Sequence, residues 1–204
     1  MNAIESVILE SADPAATEAF LAAAFGIGDQ FTVRAAEAPS TGFRGYNLSL
    51  VVSQPSTVDS LYNSALEAGA VALKPAAKSF WGYGCTLQDP DGAIWTIASS
   101  SKKDTGPATR EIDQVVFLLG AADVAATKKF YEAHGFPVAK SYGRKYVEFE
   151  APEKGIKLAL YGHRHLAKNA GVSAEGTGSH RVAFRGGEAF TDPDGFAWET
   201  AAQR

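Results

Sequence analysis

Two stretches, Asp89-Pro-Asp-Gly-Ala-Ile-Trp-Thr and Asp192-Pro-Asp-Gly-Phe-Ala-Trp-Glu, concentrate paired carboxylates ahead of a tryptophan. Asp at the first position, Pro at the second and Gly at the fourth suit a type I turn, so each stretch should close a hairpin. Asp192-x-Asp194-Gly resembles the start of a calcium loop but lacks the later acidic ligands, so the acids of both turns read as structural. The copies differ in their last residue, Thr96 in one and Glu199 in the other. That difference suggests a duplicated unit that has kept a site in one half. Glu199 has Ala197 and Ala201 on the same strand face, and such small neighbours leave room above the carboxylate for a ligand or an ion. His163 and His165 would share a strand face, but they lie in a loop-like stretch without a nearby acid and read as surface residues. Cys85 is the single cysteine, which excludes an intramolecular disulfide and a cysteine-based zinc site; it reads as a buried thiol. No phosphate-binding glycine loop and no Gly-x-Ser-x-Gly elbow is present.

The elements that must position these residues can be read from periodicity. Residues 4–10 form a strand buried on both faces, and Asp13-Pro14 caps and starts a helix that ends near Gly26. Strands are expected at 31–35 and 46–53, with a loop at 38–45. Ser56 and Asp59 have capping-box spacing, and the following helix carries Val58, Leu61, Tyr62, Ala65 and Leu66 on one stripe up to Gly69. A short strand at 71–73 and the segment from Phe80 lead into the first turn. Residues 99–109 are rich in Ser, Lys, Gly and Pro and mark a boundary. After it the pattern restarts: Ile112-Asp-Gln-Val-Val-Phe-Leu echoes Ile4-Glu-Ser-Val-Ile-Leu, and Ala125-Ala-Thr-Lys-Lys-Phe130 echoes Ala15-Ala-Thr-Glu-Ala-Phe20. Strands follow at 146–150 and 156–161. Residues 162–179 read as a loop with a short helix around 166–170, and 180–184 as a strand. A period of roughly 100–110 residues means a tandem repeat, with domains expected at 1–100 and 110–204 and the second of them truncated.

Composition narrows the functional classes. The chain has 204 residues, 46% hydrophobic and 21% charged, with a net charge of −4. No run of Lys and Arg exceeds two residues, which argues against nucleic acid and against an anionic membrane as partners. No apolar run reaches about 18 residues and the N-terminus lacks a basic segment before an apolar one, so a cytoplasmic protein is expected.

Strand, helix and strands closed by an Asp-Pro-Asp-Gly hairpin, twice and in register, resemble the glyoxalase/bleomycin-resistance/extradiol-dioxygenase (vicinal oxygen chelate) superfamily. Phe80-Trp-Gly-Tyr-Gly before the first turn strengthens the resemblance. It implies an α+β fold: tandem glyoxalase-like domains of βαβββ units, with curved mixed sheets around a cup and helices outside. In the family's enzymes a divalent metal sits in the cup, held from the first and last strands of each unit. Carried onto this chain, the resemblance places the second-half metal ligands at Gln114, His180 and Glu199. These are N and O donors suited to Fe, Mn, Ni, Zn or Co. The corresponding first-half positions, Ser6, Asn47 and Thr96, are poor ligands, and the strand at 156–161 supplies no acid.

Gln114 shares a face with Val116 and Leu118, where its amide needs a hydrogen-bond partner or a ligand. Trp81, Tyr83, Tyr161 and Phe184 are expected to bind the ligand in an aromatic-lined cup, with Tyr46, Trp95, Tyr146 and Trp198 as further candidates. The expected function is binding of a small planar or apolar molecule, with no complete metal site. The alternative is a metal-dependent lyase, isomerase or dioxygenase, in which Glu199 is a ligand or the general base. A structural or partner-binding role for a decayed duplicate is a third reading. The family pairs its units within a chain or across a dimer, so a homodimer is among the implied assemblies.

Overall fold

The first half of the chain runs β1 (Ser6–Ser11), α1 (Pro14–Ala24), β2 (Phe31–Ala35), β3 (Ser40–Gly42), β4 (Tyr46–Val51), α2 (Pro55–Glu67), β5 (Val71–Ser79), β6 (Gly82–Gln88) and β7 (Ile94–Ser99). The second runs β8 (Gln114–Ala121), α3 (Val124–Ala133), β9 (Val138–Ser141), β10 (Tyr146–Phe149), β11 (Lys157–Gly162), α4 (His163–Ala170), β12 (Gly176–Gly178), β13 (Val182–Arg185), β14 (Phe190–Thr191) and β15 (Ala197–Glu199). This is an α+β chain; the computed structural model describes residues 2–201.

The helix starts follow from their caps. The carboxylate of Asp13 accepts from the Ala16 amide at 3.1 Å, and that of Asp123 from Ala125 and Ala126 at 2.9 and 3.2 Å. The capping box expected at Ser56 and Asp59 does not form. The N-cap of α2 is Gln54, without a side-chain cap bond, and Pro55 starts the helix. The free Ser56 amide is satisfied instead by Asp104 of the linker, at 2.7 Å. Asp59 is thereby left to accept from the Tyr83 hydroxyl at 2.7 Å.

The strands form an eight-stranded sheet, order β5-β6-β7-β4-β8-β11-β10-β9, and a five-stranded sheet, order β14-β15-β13-β1-β2. Each half contains two units, and the units pair across the halves. The inner units join through the antiparallel β4–β8 contact, with Leu48 opposite Phe117. The outer units join through β1–β13, with Val7 opposite Phe184. The outer units are the shortened ones: β2 lies directly beside β1 in parallel, and no helix separates β13 from β14. Together β3 and β12 make a separate two-stranded ribbon.

The main core lies on the helix side of both sheets. Phe117 packs on Tyr46, Phe184 and Phe196, while Trp95 packs on Phe25 and Phe31. Alternation along the strands fixes the other face. On β4, Leu48 and Leu50 enter the core, so Asn47 and Ser49 point to the concave side. Among the described residues no helix is long and apolar enough to cross a membrane.

Three local expectations need correction. The short strand at 71–73 runs on through Pro75 to Ser79, because β5 is an edge strand and its pairing with β6 slips around the proline. The strand β9 carries no strong alternation in sequence and was not expected. The supposed loop at 38–45 contains β3, whose partner β12 lies far along the chain.

Candidate functional site

The two Asp-Pro-Asp-Gly turns are structural. Asp89 accepts from the Ala93 amide and the Trp95 indole, both at 2.9 Å. Asp192 accepts from the amides of Asp194 and Phe196 and from the Tyr131 hydroxyl, at 3.0, 2.8 and 2.7 Å, and the Trp198 indole donates to that hydroxyl. The second acid of each turn ties the two units of its half together. Asp91 accepts from Ser11 Oγ and the Ala12 amide at the β1–α1 junction. Asp194 accepts from the Ala122 amide and Thr127 Oγ1 at the β8–α3 junction.

The expected ligand set is split between the two sheets. Gln114 is on β8 of the eight-stranded sheet and donates its amide to the carbonyls of Val115, at 3.1 Å, and Gly155. Glu199 is on β15 of the five-stranded sheet. Its carboxylate meets Arg34 Nη1 at 2.6 Å and Arg185 Nη2 at 3.9 Å, and Arg34 also reaches Glu10 at 2.6 Å. His180 precedes β13 beside a groove of about 400 Å³. Its ring stacks on Phe196, with Nδ1 2.7 Å from the Arg44 carbonyl oxygen and Nε2 3.0 Å from that of Asp194. To ligate a metal it would have to give up one of those carbonyls. Units pair across the halves, so the first and last strands of one half belong to different sheets, and Gln114 and Glu199, expected with His180 as one second-half site, lie on separate ones.

The cup of the eight-stranded sheet offers a metal little. Aligning its two units on the helix caps Gln54 and Asp123 makes Asn47 equivalent to Val116 and Thr96 to Ala159. No anion or imidazole stands at any of these four positions, so they do not fit a divalent cation. Among the described residues no group of three or more His, Cys, Asp and Glu is close enough to hold one.

The four aromatic candidates fall in different places. Trp81 is at the β5–β6 hairpin tip, 83% exposed, against Phe80. Tyr83 is tied to α2 through Asp59, and Phe184 is wholly buried in the main core. Tyr161 is on the concave face of β11. There it belongs to a row of rings: Tyr142 against Tyr146, Tyr146 against Tyr161 at 4.9 Å, and Tyr161 stacked on His165. Glu148 lies on the same face and accepts from the Tyr146 hydroxyl at 2.7 Å and Lys157 Nζ at 3.1 Å. Glu148 and Lys157 were not singled out from sequence, although the alternations Tyr146-x-Glu148 and Lys157-x-Ala159-x-Tyr161 put them on the face of the ring row.

Burial opposes ionisation of Glu148, but the Tyr146 hydroxyl and Lys157 outweigh it and hold the carboxyl below its ordinary range. Its stabilisation is then present above the unfolded value and lost as pH falls through the lowered folded value. The stability gap between wild type and Glu148→Gln, read from urea midpoints, should shrink below about pH 4. Burial, together with the bond to Glu148, drives the Tyr146 hydroxyl well upward, so it remains a proton donor.

Over the middle of the cup lies α4. It buries Leu166, Ala167 and Ala170 against Phe43 and Ile94, with Leu118 and Tyr161 packed alongside. Gly120 permits the approach, since a Cβ there would meet the Gly45 carbonyl and His163.

No family model and no curated protein matches the sequence. Solved structures do match. Glyoxalase I from Zea mays is 15% identical, with a TM-score of 0.62, over 98% of this chain and 92% of that one. A putative dioxygenase from Bacillus subtilis subsp. subtilis str. 168 is 12% identical, with a TM-score of 0.60, over 98% and 84%. The chain shares the fold of these glyoxalase I and dioxygenase structures, built of tandem units as its sequence repeat implies.

Proposed function

We propose that the protein binds a small planar molecule in the cup of the eight-stranded sheet, without a metal ion. The observation that carries this reading is the row Tyr142, Tyr146, Tyr161 and His165, part-exposed along the concave face. Stacked rings offer a flat ligand contact area at low entropic cost. Lys157 and, opposite Glu148 on β9, Lys140 put two cations against that one carboxylate at the cup wall, which would favour a ligand that carries a negative charge. The metal-dependent alternative lacks a matching donor set on this face.

Titration with 1-naphthoate, followed by ligand fluorescence, tests the proposal. Saturable binding is expected, weakened roughly tenfold by Tyr161→Ala and unchanged by Glu199→Gln or by a chelator. Absence of saturable binding sinks the proposal. Binding abolished by chelator and restored by a divalent ion would establish the alternative instead.

A further inference from the structure

We propose that α4 is a lid over a subsite of the cup whose floor takes an uncharged, hydrogen-bond-donating group such as a hydroxyl or a carboxamide. This rests on the reading of the cup as a ligand site and adds what its covered part recognises.

The floor supplies the first argument. Asn47 is 2% exposed, and its Oδ1 has no hydrogen-bond partner. A buried carbonyl oxygen without a donor is costly, and an entering N–H or O–H removes that cost. Asn47 stands opposite Leu118, which packs against the cluster under α4. Ser49, Thr96 and Thr86 lie side by side on the same face, in register across β4, β7 and β6. Ser49 and Thr86 are buried, and Thr96 between them is half-buried. No cationic side chain stands among these four, so an anion placed on them would lack a charge partner and would face the unpaired Asn47 Oδ1.

The cover supplies the second. The three buried residues of α4 form a small satellite cluster apart from the main core. Arg164, His165, Lys168 and Asn169 are exposed, while His163 is half-buried against Phe43. Glycines flank it, Gly162 before and Gly171 after, the latter at φ +81°. Few polar ties hold it down. Lys74 Nζ donates to the Asn169 carbonyl at 2.6 Å, and beyond α4 the short β12–β3 ribbon adds its ladder, the bonds of the Phe43 amide to the Glu175 carbonyl and of the Ser179 amide to the Pro39 carbonyl, both at 2.9 Å, and the Thr41–Thr177 hydroxyl pair at 2.8 Å. The bond of His163 Nε2 to the Ala174 carbonyl lies within the segment and would move with it. An element with so little buried apolar surface and a separate cluster opens locally, below the cost of global unfolding.

The protein carries its own reference for the test. Cys85 lies on the core face of β6, and burial pushes its thiol up to about 12, so it reacts when the fold opens as a whole. In Ser49→Cys, the introduced thiol and Cys85 are alkylated in one molecule and counted by mass spectrometry. Iodoacetamide is compared with iodoacetate, each corrected for its rate with the urea-unfolded chain. The introduced thiol should react at least about 100-fold faster than Cys85. Iodoacetamide should be favoured at least about tenfold over its anionic counterpart. Leu166→Ala should accelerate the introduced thiol and leave Cys85 unchanged, and Thr86→Cys should repeat the pattern from a neighbouring strand.

Equal rates at the two thiols would show that the floor is reached only through global unfolding and would overturn the lid. Fast labelling without preference for the amide would overturn the assignment of an uncharged group. Neither outcome depends on naphthoate, so failure of the ring-row site and failure of the lid are read separately.

Discussion

Asp192→Ala is expected to lower the unfolding free energy by about 3 kcal/mol, read from urea denaturation. The carboxylate is buried and satisfies two backbone amides and the Tyr131 hydroxyl. That hydroxyl in turn takes the Trp198 indole at 3.1 Å, so one truncation unties a chain of four donors. Tyr131→Phe, which removes two links, the bond to Asp192 and the acceptor of the Trp198 indole, but leaves both amide bonds to the carboxylate, should cost about 1–2 kcal/mol.

The pH dependence of this site has a definite sign. Burial raises the Asp192 carboxyl above its ordinary value, against the opposing pull of Tyr131 and the Phe196 amide, and burial acts in the same direction on Asp89. A raised acid contributes stability that is present below its unfolded value and is lost as pH rises through the folded value. Wild type should therefore gain on Asp192→Asn as pH falls from 7 toward about 4. A gap that narrows over that range would mean that the anion is the stabilised form.

Phe184→Ala is the second large effect, at about 3–5 kcal/mol. The ring is wholly buried, 4.6 Å from Phe117 and 4.7 Å from Trp198. These partners come from β8 and β15, in different sheets, so the cavity would open where the sheets meet. The folded fraction should still bind naphthoate with unchanged affinity. The control is Trp81→Ala at the exposed hairpin tip, which should shift stability by no more than about 0.5 kcal/mol. Loss of ligand affinity in Phe184→Ala with intact stability would return this ring to the binding site.

What the sequence revealed was local. Asp13 marks a helix start because capping is decided within three residues, and the Asp-Pro-Asp-Gly turns are visible because their acids bond within four. The repeat, and through it the fold, followed from those signals. The site did not, because strand partners are chosen at a distance. Gln114 and Glu199 look like one set when each half is taken to close on itself. They separate once β8 pairs with β4 and β13 with β1. Phe184 and Tyr161 are both aromatic residues on apolar strands, and only the register assigns one to the core and the other to the cup. The Gly/Ser-rich run at 171–179 hid β12 in the same way, since a three-residue strand is defined by its partner at Ser40–Gly42.

The exchange of strands between halves also dictates an order of assembly. As the chain is synthesised, β1 emerges first, yet its antiparallel partner β13 begins only at Val182. Until then one edge of β1 stays open for any extended segment to join. The inner units meet much sooner, through β4 and β8, so the eight-stranded sheet can close while the five-stranded one still waits. Such late, distant pairing slows folding and prolongs exposure of apolar strands. A chain cut at the linker would release two pieces, each with four strands of the eight-stranded sheet and two or three of the five-stranded one, and each with a strand of both sheets left without its partner. Duplication gave this protein two similar halves; strand pairing made them inseparable.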